Sequence, residues 1–334
     1  MYKVLTAQTG NAAHWQVELA NAISSVDELV EELELVHLKT ELVQNPEFRL
    51  RVPRAFVRKM RKGNADDPLL KQVLPVHAET ASSGLADPVG DLNAMTVPGL
   101  LHKYQGRVLL VATGACAIHC RYCFRRHFPY ASANARRNEW KQALAYLKAH
   151  VDISEVVLSG GDPLVLDNAS LHKLLSALEE IPHIQWLRIH TRLPVVLPSR
   201  IDDGLLDILQ GLRFTKTMVI HANHANEVMS DEFESLQRLA STGCTLLNQS
   251  VLLKGVNDSP TSLHNLSTRL YQAGVLPYYL HMLDPVRGAL HFEVSQRRAI
   301  EILKTVKASL PGFLVPRLVR EIPGESSKTA IFTI

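Results

Sequence analysis

From about residue 96 onward, short apolar runs of β-type composition alternate with amphipathic helical patterns, and this alternation leaves few folds open to the 334-residue chain. Strands are expected at 107–113, 155–159, 186–190, 217–221, 245–251 and 277–282. Helices are expected near 137–149, 170–180, 202–210, 231–241 and 261–273, with one more at 295–309 after the last strand. Strands separated by helices build βαβ units and a parallel sheet. Six such units make an α/β chain, read here as a partial (β/α)6 barrel. In folds of this kind the reacting groups collect in the loops that follow the strands, at their C-terminal ends.

The first 95 residues read differently. They are helix-biased and carry no evident chemistry, so the chain divides into a helical N-terminal extension with a connector, 1–95, and the barrel, 96–334. Within the extension, 25–35 has apolar residues at helical spacing with acid near its start. The basic stretch 49–71 reads as a solvated helix face rather than a docking face for an acidic partner. Residues 78–91 are small, polar and marked by Pro and Gly, which reads as a linker.

A hydrophobic content of 46% permits a large core, while a net charge of +3 spread along the chain argues against nucleic-acid and membrane partners. Four cysteines, three of them within eight positions, do not make a secreted disulfide framework. The N-terminus has no apolar signal core and nowhere do eighteen apolar residues run together. The expectation is a soluble, cytoplasmic protein. Cys244, outside the cluster of three, is expected as a small core residue.

The three are Cys116, Cys120 and Cys123, spaced C-x3-C-x2-C in the loop after the first expected barrel strand. Iron–sulfur clusters are held by cysteine thiolates, usually four of them. Three leave one iron of a [4Fe–4S] cluster open, and S-adenosylmethionine (SAM) can chelate it through its amino and carboxylate groups. A zinc knuckle is the competing reading, but zinc favours four ligands and paired C-x2-C units, and no second pair follows. The motif resembles the signature of the radical SAM superfamily, which implies a partial (β/α)6 radical SAM barrel and a reduced cluster that cleaves SAM to a 5′-deoxyadenosyl radical. After the second expected strand, Gly160-Gly161-Asp162-Pro163 is by itself a turn. One unit beyond the cysteines it resembles the superfamily's glycine motif, which implies SAM contacts from Gly160, Gly161 and Asp162.

Further strings narrow the resemblance: RIHTRLPVVLP at 188–198, HANHANE at 221–227, LLNQSVLLKGVND at 246–258 and PYYLHMLDPVRGALHF at 277–292. In this order they resemble the lysine 2,3-aminomutase family, over about 98–328. The phrases GNADDPLLKQVLP and VPGLLHKY are similar to the shorter branch that supplies β-lysine for modifying elongation factor P. The chain given stops six residues past Lys328, where the free-lysine enzymes continue, and this too matches that branch.

The family resemblance implies a second cofactor, pyridoxal 5′-phosphate (PLP), bound through Lys328 at the end of the stretch Arg320-Glu321-Ile322-Pro323-Gly324-Glu325-Ser326-Ser327-Lys328. Glu325-Ser326-Ser327 stands where the free-lysine enzymes have mostly glycine. The resemblance further implies Arg107 at the PLP phosphate, Arg125 at the substrate carboxylate, and Asp284 with Glu321 at the substrate side-chain ammonium. Glu321 departs from the free-lysine pattern, which has Asp there. The implied reaction moves the α-amino group of L-lysine to the β-carbon after the radical takes a hydrogen from it. Implied partners are L-lysine, the elongation factor P pathway through its lysyl-ligase, and an electron donor such as flavodoxin or ferredoxin. The rival readings are an aminomutase acting on free lysine or another amino acid in metabolism, a radical SAM enzyme without PLP, and a metal-stabilised binding module.

Overall fold

The protein is described by a computed structural model covering residues 13–44, 46–133 and 135–332. Among these residues ten strands form one sheet in sequential order: β1 (Met95–Val97), β2 (Leu100–Tyr104), β3 (Arg107–Thr113), β4 (Glu155–Gly160), β5 (Trp186–Thr191), β6 (Thr215–Ile220), β7 (Thr245–Val251), β8 (Leu276–His281), β9 (Arg317–Arg320) and β10 (Thr329–Ala330). From β3 to β9 every pairing is parallel, and a helix lies in each crossover. The six expected βα units are all present, so the expected α/β, partial (β/α)6 barrel is the architecture found. The edges differ from expectation. An antiparallel β1–β2 hairpin precedes β3, and β10 returns antiparallel along β9.

Strand periodicity divides the barrel into two faces. Val108, Leu110, Val156, Leu158, Leu187, Ile189, Met218 and Ile220 point outward and are buried with Leu174, Leu178, Leu205, Leu209, Leu236 and Leu239 of the surrounding helices. The alternate positions, among them Arg188, His190, His221, Gln249, Tyr279 and His281, therefore line the lumen. The helices begin where capping side chains place them: Asp167, Asp202, Ser259 and Ser295 each accept from a backbone N–H of the first turn. The helix expected from 137 starts only at Lys141, because Glu139 and Trp140 adopt φ of +55° and +60°. Trp140 is held in that strained entry by burial and by donating from Nε1 to Ala112 O at 3.2 Å. Cys244 is buried in the main core, as expected.

Among the described residues the N-terminal segment shares the barrel's core. Trp15, Leu29, Phe56, Leu69 and Leu70 belong to the same apolar cluster as the barrel's outer face. The amphipathic stretch at 25–35 is helical only over Val26–Glu32, and Glu34 turns the chain with φ +59°. The solvated helix face expected at 49–71 is not what forms. The helical residues there are two single turns, Arg54–Val57 and Pro68–Lys71. The Lys59 side chain is buried, donating to Val195 O at 2.6 Å, Glu227 O at 3.0 Å and Glu232 Oε1 at 2.9 Å. The stretch read as a linker is likewise committed, since Leu85 bridges to Val286 and Glu79 and Asp91 make buried ion pairs. No described helix is long and apolar enough to cross a membrane.

Because Lys59 joins the extension to the barrel through a desolvated ion pair, truncating it strands Glu232. Lys59→Ala should cost about 3–5 kcal/mol in chemical denaturation. Arg58→Ala, at an exposed neighbour, should stay within about 0.5 kcal/mol of the parent.

Candidate active site

The cysteine loop leaves the C-terminal end of β3 and is braced by residues that precede the barrel. Arg121, with no exposed surface, donates to Glu79 through both Nε and Nη2 and to Phe48 O at 2.6 Å. Arg126 donates to the same carboxylate at 2.7 Å and to Gly288 O at 2.7 Å. Backbone contacts finish the brace, with His119 N on Arg51 O and Arg121 N on Gln72 O. Cys116, Cys120 and Cys123 are free thiols inside this frame. Burial, then the neighbouring Cys120, pushes the Cys123 thiol up to about 11. Burial, then Cys123, Asp162 and Cys120, pushes Cys116 well up. The three thiols thus share one small volume. Among the described residues no group of three or more His, Cys, Asp or Glu side chains is placed to hold a single metal ion. Cysteine thiols are the donors that iron–sulfur clusters use.

The glycine motif clamps this loop. Gly160 has φ +109°, and a Cβ on Gly161 would lie 2.2 Å from Ala115 O. Only glycine lets the two backbones close, through Gly161 N on Thr113 O and Asp162 N on Ala115 O, both at 2.8 Å. The Asp162 carboxylate is occupied by protein donors: Leu164 N at 3.1 Å, Thr191 Oγ1 at 2.7 Å and Arg192 N at 2.7 Å. It ties the β4 loop to the β5 loop.

Inside the barrel mouth, charges alternate along a chain of contacts. Ser159 Oγ accepts from Arg125 Nη1 at 3.1 Å, and Arg125 Nε donates to Asp91 at 2.6 Å. Asp91 pairs with Lys103 at 2.6 Å, Lys103 with Glu321 at 2.9 Å, and Glu321 with Lys328 at 2.9 Å. Four expected residues, Arg125, Glu321, Lys328 and Asp284, are gathered here. Asp284 lies within the field of Glu321, Lys328, Lys103 and Asp91. Arg107 stands one step back, packed on Tyr104 with its guanidinium 5.3 Å from the ring centroid, and Tyr104 in turn faces Glu321. Sequence reading missed Asp91, Lys103 and Tyr104. The one signal was a Lys and a Tyr in a strand-like run directly before Arg107.

Four strands add a polar wall. His190 and His221 pack edge to face at 5.5 Å, Gln249 Nε2 lies 3.0 Å from His221 Nε2, and Tyr279 packs on His281 at 5.6 Å. Lys328 Nζ is 6.0 Å from the Tyr279 ring centroid. Burial lowers all three histidines, His221 and His281 to about 3, so each is neutral at physiological pH. Nε2 of His190 and of His281 are buried without a hydrogen-bond partner among the described residues. Orphaned polar atoms around a lysine fit a polar ligand better than an apolar one.

Barrel, cysteine loop and glycine clamp together define a radical SAM enzyme, and residues 110–262 match the Radical SAM superfamily. Membership implies a [4Fe–4S] cluster and SAM, and Cys116, Cys120 and Cys123 lie within the matched residues. The chain is 46% identical over 336 residues to the L-lysine 2,3-aminomutase of Escherichia coli (strain K12), covering 99% of this chain and 98% of that one. It is 47% identical over 320 residues to the L-lysine 2,3-aminomutase of Haemophilus influenzae, covering 95% of each. Against the L-lysine 2,3-aminomutase of Clostridium subterminale it is 33% identical over 336 residues, 99% of this chain and 80% of that one. The chain belongs to the lysine 2,3-aminomutase family of isomerases.

The two pocket acids titrate in opposite senses. Burial, then Glu321, raises the Asp284 carboxyl to about 7. Burial opposes ionisation of Glu321 too, but Lys328 and Lys103 outweigh it and hold that carboxyl at about 2. An unfolded Asp ionises near 3.9, so between about pH 4 and 7 the folded protein holds a proton at Asp284 that the unfolded chain has lost. Stability therefore falls as pH rises through that window. Asp284→Asn removes the effect, and its melting temperature relative to the parent should climb from pH 4 and level off above about 7. A difference that stays flat with pH would place Asp284 in open water.

Proposed function

We propose that the chain is a PLP-dependent L-lysine 2,3-aminomutase that converts (S)-α-lysine to (R)-β-lysine, and that the product serves the modification of elongation factor P. The observation that carries the reading is the order of charges in the barrel mouth. Lysine has a carboxylate at one end and an ammonium at the other. Arg125, aligned by Asp91 and Ser159, presents a guanidinium whose fork matches a carboxylate. Asp284 and Glu321 would present two acids to the ammonium, Glu321 shared with Lys103 and Lys328, and an apolar or acidic amino acid would forgo that contact. Relatives named as L-lysine 2,3-aminomutases over nearly the whole chain support the same substrate.

Lys328 would hold PLP, with Arg107 as counter-ion to its phosphate and the orphaned His190 and His281 nitrogens as lumen partners. SAM would lie on the cluster against the clamp of Gly160, Gly161 and Asp162. When bound, the cluster and SAM supply a radical able to take hydrogen from an unactivated carbon, and PLP carries the migrating amino group. The chain's own residues orient and seclude. Glu321 keeps the Lys328 ammonium inside the lumen, the acids hold the far end of the substrate, and the neutral histidines supply hydrogen bonds without adding charge. Reduction of the cluster would draw on a small electron carrier such as flavodoxin or ferredoxin.

Anaerobic protein given SAM, PLP, dithionite and L-lysine should form β-lysine, detected by mass spectrometry. Lys328→Ala should lose the borohydride-trapped PLP adduct and keep its iron; trapping on another lysine in the parent would sink the assignment. Asp284→Asn and Glu321→Gln each remove a charge-assisted contact of about 1.5–3 kcal/mol, a roughly tenfold to hundredfold loss in kcat/KM. Unchanged lysine kinetics in both would refute the two-acid pocket. With isotope-labelled lysine, elongation factor P and its lysyl-ligase added, label should reach the factor as a β-lysyl mass. Free β-lysine accumulating beside unmodified factor would overturn that half of the proposal.

A further inference from the structure

We infer that Arg192 is a positioning residue that tunes the reduction potential of the cluster through Cys120, with Glu227 and Gln72 setting the strength of its effect. Arg192 follows β5 and is buried. Its Nη1 donates to the Sγ of Cys120 at 2.7 Å. Its Nη2 donates to Gln72 Oε1 at 2.6 Å and to Glu227 Oε2 at 2.9 Å. The guanidinium also packs over the rings of Phe56 and Tyr122, 5.3 and 5.7 Å from their centroids. Glu227 is itself enclosed, its other oxygen accepting from Asn223 N, His224 N and Gln72 Nε2.

One-electron reduction adds negative charge that spreads onto the cluster's sulfurs. A hydrogen bond to a ligand sulfur stabilises that charge, and such bonds are among the determinants of cluster potential. A cationic donor is the stronger kind. Glu227 works the other way, since its carboxylate cancels most of the guanidinium's longer-range field and leaves the short N–H···S contact as the net effect. The two partners should therefore move the potential in opposite directions. A merely structural pair would not, because breaking it from either side loosens the same loop. Gln72 comes from the N-terminal extension, which gives that segment a part in the redox chemistry.

The inference rests on the cluster assignment, so iron and sulfide are counted first in anaerobically reconstituted parent protein. Absence of both would fail that assignment and not the tuning. With cluster present, the reduced fraction is read by electron paramagnetic resonance at set potentials, using dithionite and mediators. Arg192→Met should lower the reduced-to-oxidised ratio about tenfold, equivalent to about 59 mV for a one-electron couple. Arg192→Lys should recover part of that shift. Glu227→Gln should raise the ratio. Shifts of the same sign in Arg192→Met and Glu227→Gln, or none in either at native iron content, would overturn the inference. If Arg192→Met holds no cluster, Glu227→Gln decides alone, and a ratio at or below the parent's refutes it.

Discussion

Four arginines crowd the cysteine loop, and the structure around it follows from their need for counter-charges. A guanidinium moved out of water without a partner costs several kcal/mol, so each has to meet a carboxylate where it stands. Arg121 and Arg126 share Glu79, Arg125 takes Asp91, and Arg192 takes Glu227. Two of these three acids lie before the barrel begins. The extension is therefore wrapped onto the barrel mouth by the same pairs that fix the loop. Lys59, reaching the backbone of Glu227 from within the extension, closes the arrangement from behind. Buried pairs of this sort add little net stability, and their effect is to fix one geometry of the loop.

The barrel wall shows a division of labour that the pleat makes possible. Outward positions of β3 to β6 are aliphatic and packed against helices, while the lumen carries histidine, glutamine, tyrosine and paired charges. A lumen filled with aliphatic side chains would give a more stable barrel with no room for polar ligands. Polarity here is organised into neutral histidines on β5 and β8 and just after β6, and a chain of ion pairs along the β2–β3 and β9–β10 side. Neutral imidazoles thus face a continuous run of paired charges.

Much of this was legible in the sequence, and the limits have physical causes. β3 and β7 coincide with expectation, β3 through its apolar centre and β7 through the strict alternation of its buried positions. The β1–β2 hairpin, β9 and β10 escaped because strands of two to five residues leave little periodicity to read. The cysteines and Lys328 stood out through their flanking motifs. Glu79 and Asp91 did not, since their partners lie 42 and 34 positions away and a small, polar stretch looks like a linker until those partners are placed. Arg192, His190, His221 and His281 all lay in strings that were singled out. Their convergence depends on the register between strands, which no local pattern records.

Lys103 and Glu321 are separated by 218 positions, yet they join the two halves of the barrel mouth into one electrostatic unit. Substitutions within such a unit do not add, and coupling energies of about 0.5–3 kcal/mol of either sign are usual among residues that share one network. Arg125, Asp91, Lys103, Glu321 and Lys328 therefore vary as a single character. A change at Arg125 would alter the field at Lys328, and alleles harmless alone would be epistatic together.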